Sequence, residues 1–409
     1  MKKFLRVVIT ILFFFIIWQK SEAATALQEY YLNIDKITAA RGYTVEYPDE
    51  NFKIGFVTNT FINETTLKIV NLGQENFTMP DNFKLVSDIY LYDFSATPKK
   101  LLNLALTHNS YSAQTKKIYF WDNNYKTWRE LPSTINGNKT IGAVSPFKFA
   151  KVAILEKKVT NDLELKNLIT AKSAIVMNAK TGEVLFEKNS QVKRPIASLT
   201  KIMTAMIFLE HNPGWDQEVE FLQEDDAMPA KINLDSGDTL KISDLFYSML
   251  VKSANNAAKA IARLTNLNPQ YFIWLMNLRA QELGLAQTTF VDPTGLDAGN
   301  ISTAYDYAIL AKNALTISDI PRATTAATYS FKTLKNNKQI NLENTTKLFG
   351  SDLTITMTKT GYTYEAGNCL MTVAKNLQTG KELIAVALGS KPGYLSTDVY
   401  TLLDYYLNK

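Results

Sequence analysis

The sequence predicts two folded parts in tandem. Residues 27–158 read as an all-β, sandwich-like domain, and residues 165–409 as an α/β (α+β) domain whose single antiparallel sheet carries helices on both faces. Three observations point there. Up to residue 158 the chain is a succession of short runs rich in Tyr, Phe, Val and Ile, broken by polar turns, which is the pattern of an antiparallel sandwich. Beyond residue 165 a hairpin gives way to apolar stretches of helical length, and strands return near the end. The length, 409 residues, also exceeds what one core usually organises, at about 100–200 residues per domain.

The first 23 residues stand apart as an expected export signal. Basic Lys2, Lys3 and Arg6 precede an apolar run from Val7 to Trp18, and small Ser21 and Ala23 suit cleavage after Ala23. A helix over that run spans about 18 Å against a hydrocarbon core of about 30 Å, so export is expected rather than a spanning helix. Left uncleaved, the same segment would be a membrane tether. No second apolar stretch of spanning length follows.

In the β-rich part, strands are expected at Phe52–Val57, Phe83–Tyr92, Lys117–Trp121 and Phe149–Leu155, with a turn at Asn136-Gly-Asn138. The aromatics Tyr119, Phe120, Trp121 and Trp128 alternate as core residues do, which outweighs a carbohydrate platform. The charged stretch Glu156–Asp162 reads as the linker. The second part opens with a hairpin, Ala174–Asn178 and Glu183–Glu187, around Lys180-Thr-Gly182. Ile202–Leu209 is apolar on nearly all sides, as a helix in the middle of a domain is. Strands follow at Leu353–Met357, Cys369–Ala374 and Leu383–Leu388. Val399, Leu402, Leu403, Tyr406 and Leu407 then form one apolar stripe of a final helix suited to covering a sheet.

Composition excludes several functions. Four bases (Lys2, Lys3, Arg6, Lys20) and one acid (Glu22) lie in the first 23 positions, so the formal charge falls from +5 to +2 without them. Such a balance gives no electrostatic reason to expect binding to nucleic acid or an anionic membrane. Two histidines, His108 and His211, leave neither a multi-histidine metal site nor a Ser-His-Asp triad. The single cysteine, Cys369, forms no internal disulfide and reads as a buried strand residue.

A serine can be activated without histidine when a lysine lies one helical turn away, because positions i and i+3 share a face. Ser198-Leu-Thr-Lys201 has that spacing and opens the buried helix; Ser145/Lys148 and Ser190/Lys193 share the spacing without the helix. A helix start also offers free backbone N–H groups to the reaction zone. Ser253-Ala-Asn255 is the only Ser-x-Asn in the chain, between two helical runs, and Lys359-Thr-Gly361 lies on the strand before Cys369. The other Lys-Thr-Gly, at Lys180, precedes the serine and reads as a hairpin turn.

That ordered set resembles the signature of penicillin-binding proteins and class A β-lactamases. The surrounding blocks, Ile196–Ala205, Gly237–Leu240, Asn277–Leu285, Phe290–Leu296, Ser302–Asp306 and Lys359–Gly367, look like the D-alanyl-D-alanine carboxypeptidase branch, the low-molecular-mass penicillin-binding proteins of the serine DD-peptidase fold. The resemblance covers residues 165–409 and leaves the β-rich part outside it. It implies an exported, extracytoplasmic enzyme, in the periplasm or at the cell wall and the outer face of the cytoplasmic membrane, that removes the terminal D-alanine from peptidoglycan stem peptides. β-Lactams would be its covalent inhibitors, with no metal or organic cofactor and no nucleic acid partner.

By the same resemblance Ser198 is the nucleophile, Lys201 its base and Ser253 the proton relay to the leaving D-alanine. Asn255 holds the substrate amide. Lys359 and Thr360, with Gly361, receive the terminal carboxylate, and the N–H groups of Ser198 and Tyr362 bind the oxyanion. An ordinary lysine titrates near 10.4, so Lys201 needs burial or a neighbouring cation such as Lys359 to act as a base. The chain departs from the family at Met357, where glycine is usual, and at Ser253-Ala-Asn-Asn256, where Ser-Gly-Asn-Asp is common. Two other readings stand beside this one. A serine β-lactamase would need a deacylating base such as Glu282, and a non-catalytic wall-binding protein would keep the fold without acylation.

Overall fold

The computed structural model describes residues 29–409 except 75, 76, 78, 113 and 124, so the expected export segment lies outside the described residues. The chain divides into two compact units, with the boundary between Lys158 and Val159 and a short piece around Tyr111 belonging to the second.

In the first unit two antiparallel sheets enclose one core. One sheet runs Glu29–Ile34, Thr65–Asn71, Tyr90–Phe94, Phe149–Lys157, Lys116–Asp122, Thr127–Glu130, and Phe83–Leu85 also pairs with Phe149–Lys157. The other runs Ser133–Asn136, Lys139–Val144, Leu102–Thr107, Phe52–Phe56, Tyr43–Glu46. Alternation decides which residues meet: Ile54, Leu104 and Leu106 from one sheet pack with Leu67, Ile69, Tyr92 and Ile154 from the other. Tyr119 and Trp128 are buried in a smaller cluster with Ile89 and Leu155, Trp121 meeting Trp128 edge-on at 5.6 Å.

Two expectations change here. The run Phe83–Tyr92 is two strands, because the Ser87 hydroxyl takes the Ile154 N–H at 2.8 Å and interrupts the ladder. Glu156 is strand rather than linker: it lies buried, 3.1 Å from the Lys116 ammonium and 2.5 Å from the Ser110 hydroxyl. A charged residue reads as solvated until its partner is known. The connection is therefore shorter and ends at Asn161, which caps the helix Asp162–Leu168.

The second unit is built on the sheet Val184–Lys188, Ser173–Asn178, Glu382–Ser390, Gly367–Lys375, Thr354–Thr363, antiparallel throughout. Ser173–Asn178, first in sequence in this sheet, pairs with Glu382–Ser390, the last, so early and late segments of the unit close one sheet. Successive side chains leave on opposite faces. Ala174, Val176, Leu370 and Ala385 pack with Val399, Leu402, Leu403 and Tyr406 of the last helix, Leu395–Leu407. Ile175, Met177, Cys369, Met371 and Val386 face the larger helical layer, which includes Lys201–Glu210, Ile242–Val251, Asn255–Leu264 and Ala304–Ala314. Burial pushes the Cys369 thiol up to about 11, which suits an inert core residue. Lys180-Thr-Gly182 is a turn, its first two N–H groups bonded to the Asn178 side chain.

Candidate active site

Ser198 lies in the tight helical turn Ala197–Thr200, which runs straight into the helix Lys201–Glu210. Two residues of the sequence make that turn possible. Ala197 holds the left-handed region at φ 48°, which costs a non-glycine residue about 1–2 kcal/mol. Gly295, at φ 81°, passes so close beneath it that a Cβ there would stand 2.0 Å from the Ala197 carbonyl oxygen. Tyr307 pins the turn from inside the domain, its hydroxyl donating to the Leu199 carbonyl at 2.8 Å.

Gly295→Ala should therefore move the serine. The expected result is a lower thermal midpoint and, in the folded fraction, β-lactam acylation slower by about 100-fold, the usual effect of displacing a reacting group by about 1 Å. Acylation at the wild-type rate would show that the turn tolerates the side chain.

Lys201 is 0% exposed, and its Nζ reaches three oxygens: Ser198 Oγ and Asn255 Oδ1 at 2.7 Å, and the Thr294 carbonyl at 2.5 Å. A neutral amine has two N–H bonds and one lone pair. With its N–H bonds donated to the two acceptors that have no proton to give, Asn255 and Thr294, the lone pair faces the Ser198 hydroxyl. The neutral form is favoured: burial first, then the nearby Lys359 charge, hold Lys201 well below the ordinary lysine value, while Asp292 opposes them.

Asp292 also builds the wall that Lys201 leans on. Its oxygens accept from Thr294 N and Oγ1 at 2.5 Å, Gly295 N and Asp297 N at 2.9 Å, and Asn300 Nδ2 at 2.6 Å. Burial raises its pKa, but these bonds, led by the Thr294 hydroxyl, outweigh it and keep the carboxyl below its usual range. Phe290–Leu296 resembles a family block, yet neither the Thr294 carbonyl nor Asp292 was assigned a part from sequence. Asp-Pro-Thr-Gly is a legible turn signal; which carbonyl it aims at Lys201 is not.

Ser253 sits between the helices Ile242–Val251 and Asn255–Leu264, at φ 60°, and accepts from Lys359 Nζ at 2.7 Å. Lys359 is likewise buried, also donates to the Thr360 carbonyl at 2.8 Å, and is pulled down to about 7 by desolvation. Asn255 also has bonds within the protein: its Oδ1 accepts from Lys201 and its Nδ2 donates to the Pro229 carbonyl.

Lys359, Thr360, Gly361 and Tyr362 follow one another on the edge strand Thr354–Thr363, whose outer N–H groups have no strand beside them. Gly361 allows the strand to touch the serine turn, a Cβ there lying 3.0 Å from both Ile196 O and Ser198 N. Thr360 shares a 2.5 Å hydroxyl contact with Thr345, a residue with no sequence signal. Tyr362 is 65% exposed beside it. Met357 is buried at a register shift in the same strand. All eight residues singled out by sequence thus fall on the serine turn and the first residue of the helix it opens (Lys201), the interhelical turn and the first residue of the next helix (Asn255), and one strand. Glu282 is outside them, paired with Arg279 at 2.8 Å.

Similar proteins match this part of the chain, one of them over a span that reaches into the first unit. The sequence profile of D-alanyl-D-alanine carboxypeptidase matches residues 158–392. The chain is 35% identical over 285 residues to the D-alanyl-D-alanine carboxypeptidase DacF of Bacillus subtilis, covering 68% of this chain and 70% of that one. It is also 35% identical over 211 residues to a D-alanyl-D-alanine endopeptidase of Haemophilus influenzae, covering 50% and 71%. Among solved structures, the Streptomyces K15 DD-transpeptidase superposes with a TM-score of 0.54 at 27% identity, covering 59% of this chain and 98% of that one. With the fold, the ordered motifs and these matches in agreement, the chain belongs to the D-alanyl-D-alanine carboxypeptidase family.

Proposed function

We propose that the protein removes the terminal D-alanine from peptidoglycan stem peptides through an acyl-enzyme on Ser198. The observation that carries this reading is the buried Lys201 amine, fixed by Asn255 and Thr294 and directed at the Ser198 hydroxyl. Ser198 Oγ attacks the carbonyl of the penultimate D-alanine while its proton passes to Lys201. Ser253 then relays a proton to the leaving amino group, drawing on Lys359 through their 2.7 Å contact. The C–N bond breaks, free D-alanine departs, and water hydrolyses the ester on Ser198. The N–H groups of Ser198 and Tyr362 hold the oxyanion, where one donor is typically worth about 10²–10³ in rate.

Lys359 and Thr360 receive the substrate carboxylate, Gly361 gives the strand its close approach, and Asn255 positions Lys201 as well as the substrate amide. β-Lactams acylate the same serine. No step in this scheme calls for a metal or an organic cofactor. Substrate and inhibitor place the enzyme outside the cytoplasm, delivered by the segment 1–23; whether that segment is cleaved or kept as a tether is read from the N-terminus of the mature protein.

The test is release of free D-alanine from a pentapeptide stem ending in D-Ala-D-Ala, with the C-terminally amidated peptide alongside. Release from the acid and not the amide is expected, with benzylpenicillin blocking it stoichiometrically. Catalytic consumption of the antibiotic without D-alanine release would instead establish a β-lactamase.

Lys359→Ala separates two effects of that side chain. KM for the free-carboxylate peptide should rise. Removing a positive charge beside Lys201 also lets that amine keep its proton to higher pH, so the acid limb of acylation shifts toward alkaline pH. A pH–rate profile that falls uniformly without shifting would leave Lys359 with a purely structural part.

A further inference from the structure

One end of the β-sandwich is built unlike the rest of it. The pairs Ile34↔Thr65, Leu67↔Phe94 and Asp93↔Phe149 in one sheet, and Tyr43↔Phe56 and Phe56↔Leu102 in the other, bring five connections to the same end. They are the helix Lys36–Arg41 with its flanks, the loops 57–64, 95–101 and 145–148, and residues 123, 125 and 126 between two strands that pair beside Phe149–Lys157. Three of these connections are tied together: Asn59 N donates to Ala40 O at 3.3 Å, Lys99 N to Thr60 O at 2.8 Å, and Lys100 Nζ to Thr58 O at 2.6 Å.

Large apolar side chains concentrate on that end. Ile37, Tyr43, Val57, Ile62 and Leu101 stand exposed there, Ile37 and Ile62 at 65% and 60%. Tyr125, Phe147 and Phe149 extend the same surface. Elsewhere among the described residues of this unit only Tyr31, Ile135 and Ile141 are comparable. A patch of this kind on a monomer marks an interaction surface. Its charge names the partner: the five connections carry Lys36, Arg41, Lys99, Lys100, Lys126 and Lys148 against only two acids, Asp35 and Glu64. Asp35 is itself engaged in capping the helix. The near-neutral total of the chain conceals this local excess.

We propose that this end of the sandwich docks on an anionic phospholipid surface, the aliphatic tips entering the headgroup–acyl boundary and the ring of bases meeting the lipid charge. Protruding single side chains on separate loops fit a fluid surface, which needs no matching shape.

The test uses the full-length protein, with Ile62→Cys or Leu101→Cys carrying an environment-sensitive NBD label and Asn136→Cys as the control at the opposite end of the sandwich. Cys369 is fully buried and stays unlabelled. The label reports local entry into lipid, so attachment through the segment 7–18 does not imitate the result. With vesicles of phosphatidylglycerol and phosphatidylcholine in equal parts, both patch labels should shift to shorter wavelength and be quenched by spin-labelled acyl chains. Pure phosphatidylcholine should give no shift. Lys99→Glu with Lys100→Glu should raise the lipid concentration for half-maximal shift at least about 20-fold, from about fivefold per base lost. No shift at either patch label, as for a surface that binds only another protein, or an equal shift at the control, overturns the proposal.

Discussion

Ser198→Ala protein exposed to benzylpenicillin should keep its unmodified mass over hours, while the wild type gains one long-lived penicillin adduct. The reason is local. Lys201 Nζ lies 2.7 Å from the Ser198 oxygen, and the two other serines with a lysine three residues on are held elsewhere: Ser190 donates to Glu187, and Ser145 sits in an exposed loop of the first unit. Removing the hydroxyl leaves Lys201 its two fixed acceptors, so folding should be nearly unchanged and the thermal midpoint should match the wild type. An adduct on the variant would assign the nucleophile to another residue; a variant that fails to fold is distinguished by its melting curve.

Lys201→Met should slow acylation by roughly 10²- to 10⁴-fold, the range for loss of a general base. Methionine keeps much of the side-chain length, which limits the cavity. The change has a second readout in stability. A buried lysine whose folded pKa is depressed binds its proton less readily than in the unfolded chain. Between the folded value and about 10.4 the unfolded state therefore holds more protons, and stability rises with pH across that window. Below the folded pKa, protonation is carried at the full cost of burial. Lys201→Met removes this term, so urea midpoints measured from acid to alkaline pH should rise less steeply than in the wild type. Lys359, whose window runs from about 7 up to the ordinary lysine value, contributes to the residual slope, as do Lys116 and Lys188, which burial also pulls down. Unchanged acylation would remove Lys201 from the mechanism.

Much of this was legible in the residues. The stripe Val399, Leu402, Leu403, Tyr406, Leu407 became the buried face of the last helix because helical period and burial agree there. The three short motifs could be ordered because each has a local structural setting: a helix start, an interhelical turn and a strand. Other features were invisible for a common reason. Glu156 looked like linker, since nothing local reveals that Lys116, far away in sequence, neutralises it. Thr345 offered no signal, and its contact with Thr360 depends on where two separate segments pass. Nothing in the sequence showed that the Asn255 amide would also join Lys201 to the Pro229 carbonyl.

By itself, the sequence determined the kinds of element, their order, the two-part division and the chemical cast of Ser198, Lys201, Ser253 and Lys359, because period, spacing and turn chemistry act over a few residues. Only the tertiary structure decided the state of that cast. Lys201 is held toward its neutral form because it is removed from water and placed near a second buried lysine, and the Thr294 carbonyl fixes its direction. Desolvation and Coulomb interaction depend on what surrounds a group in space, and those surroundings come from segments about a hundred residues away. The same holds for the lipid-facing end of the sandwich: its apolar and basic residues are scattered from Lys36 to Phe149, and strand register alone gathers them.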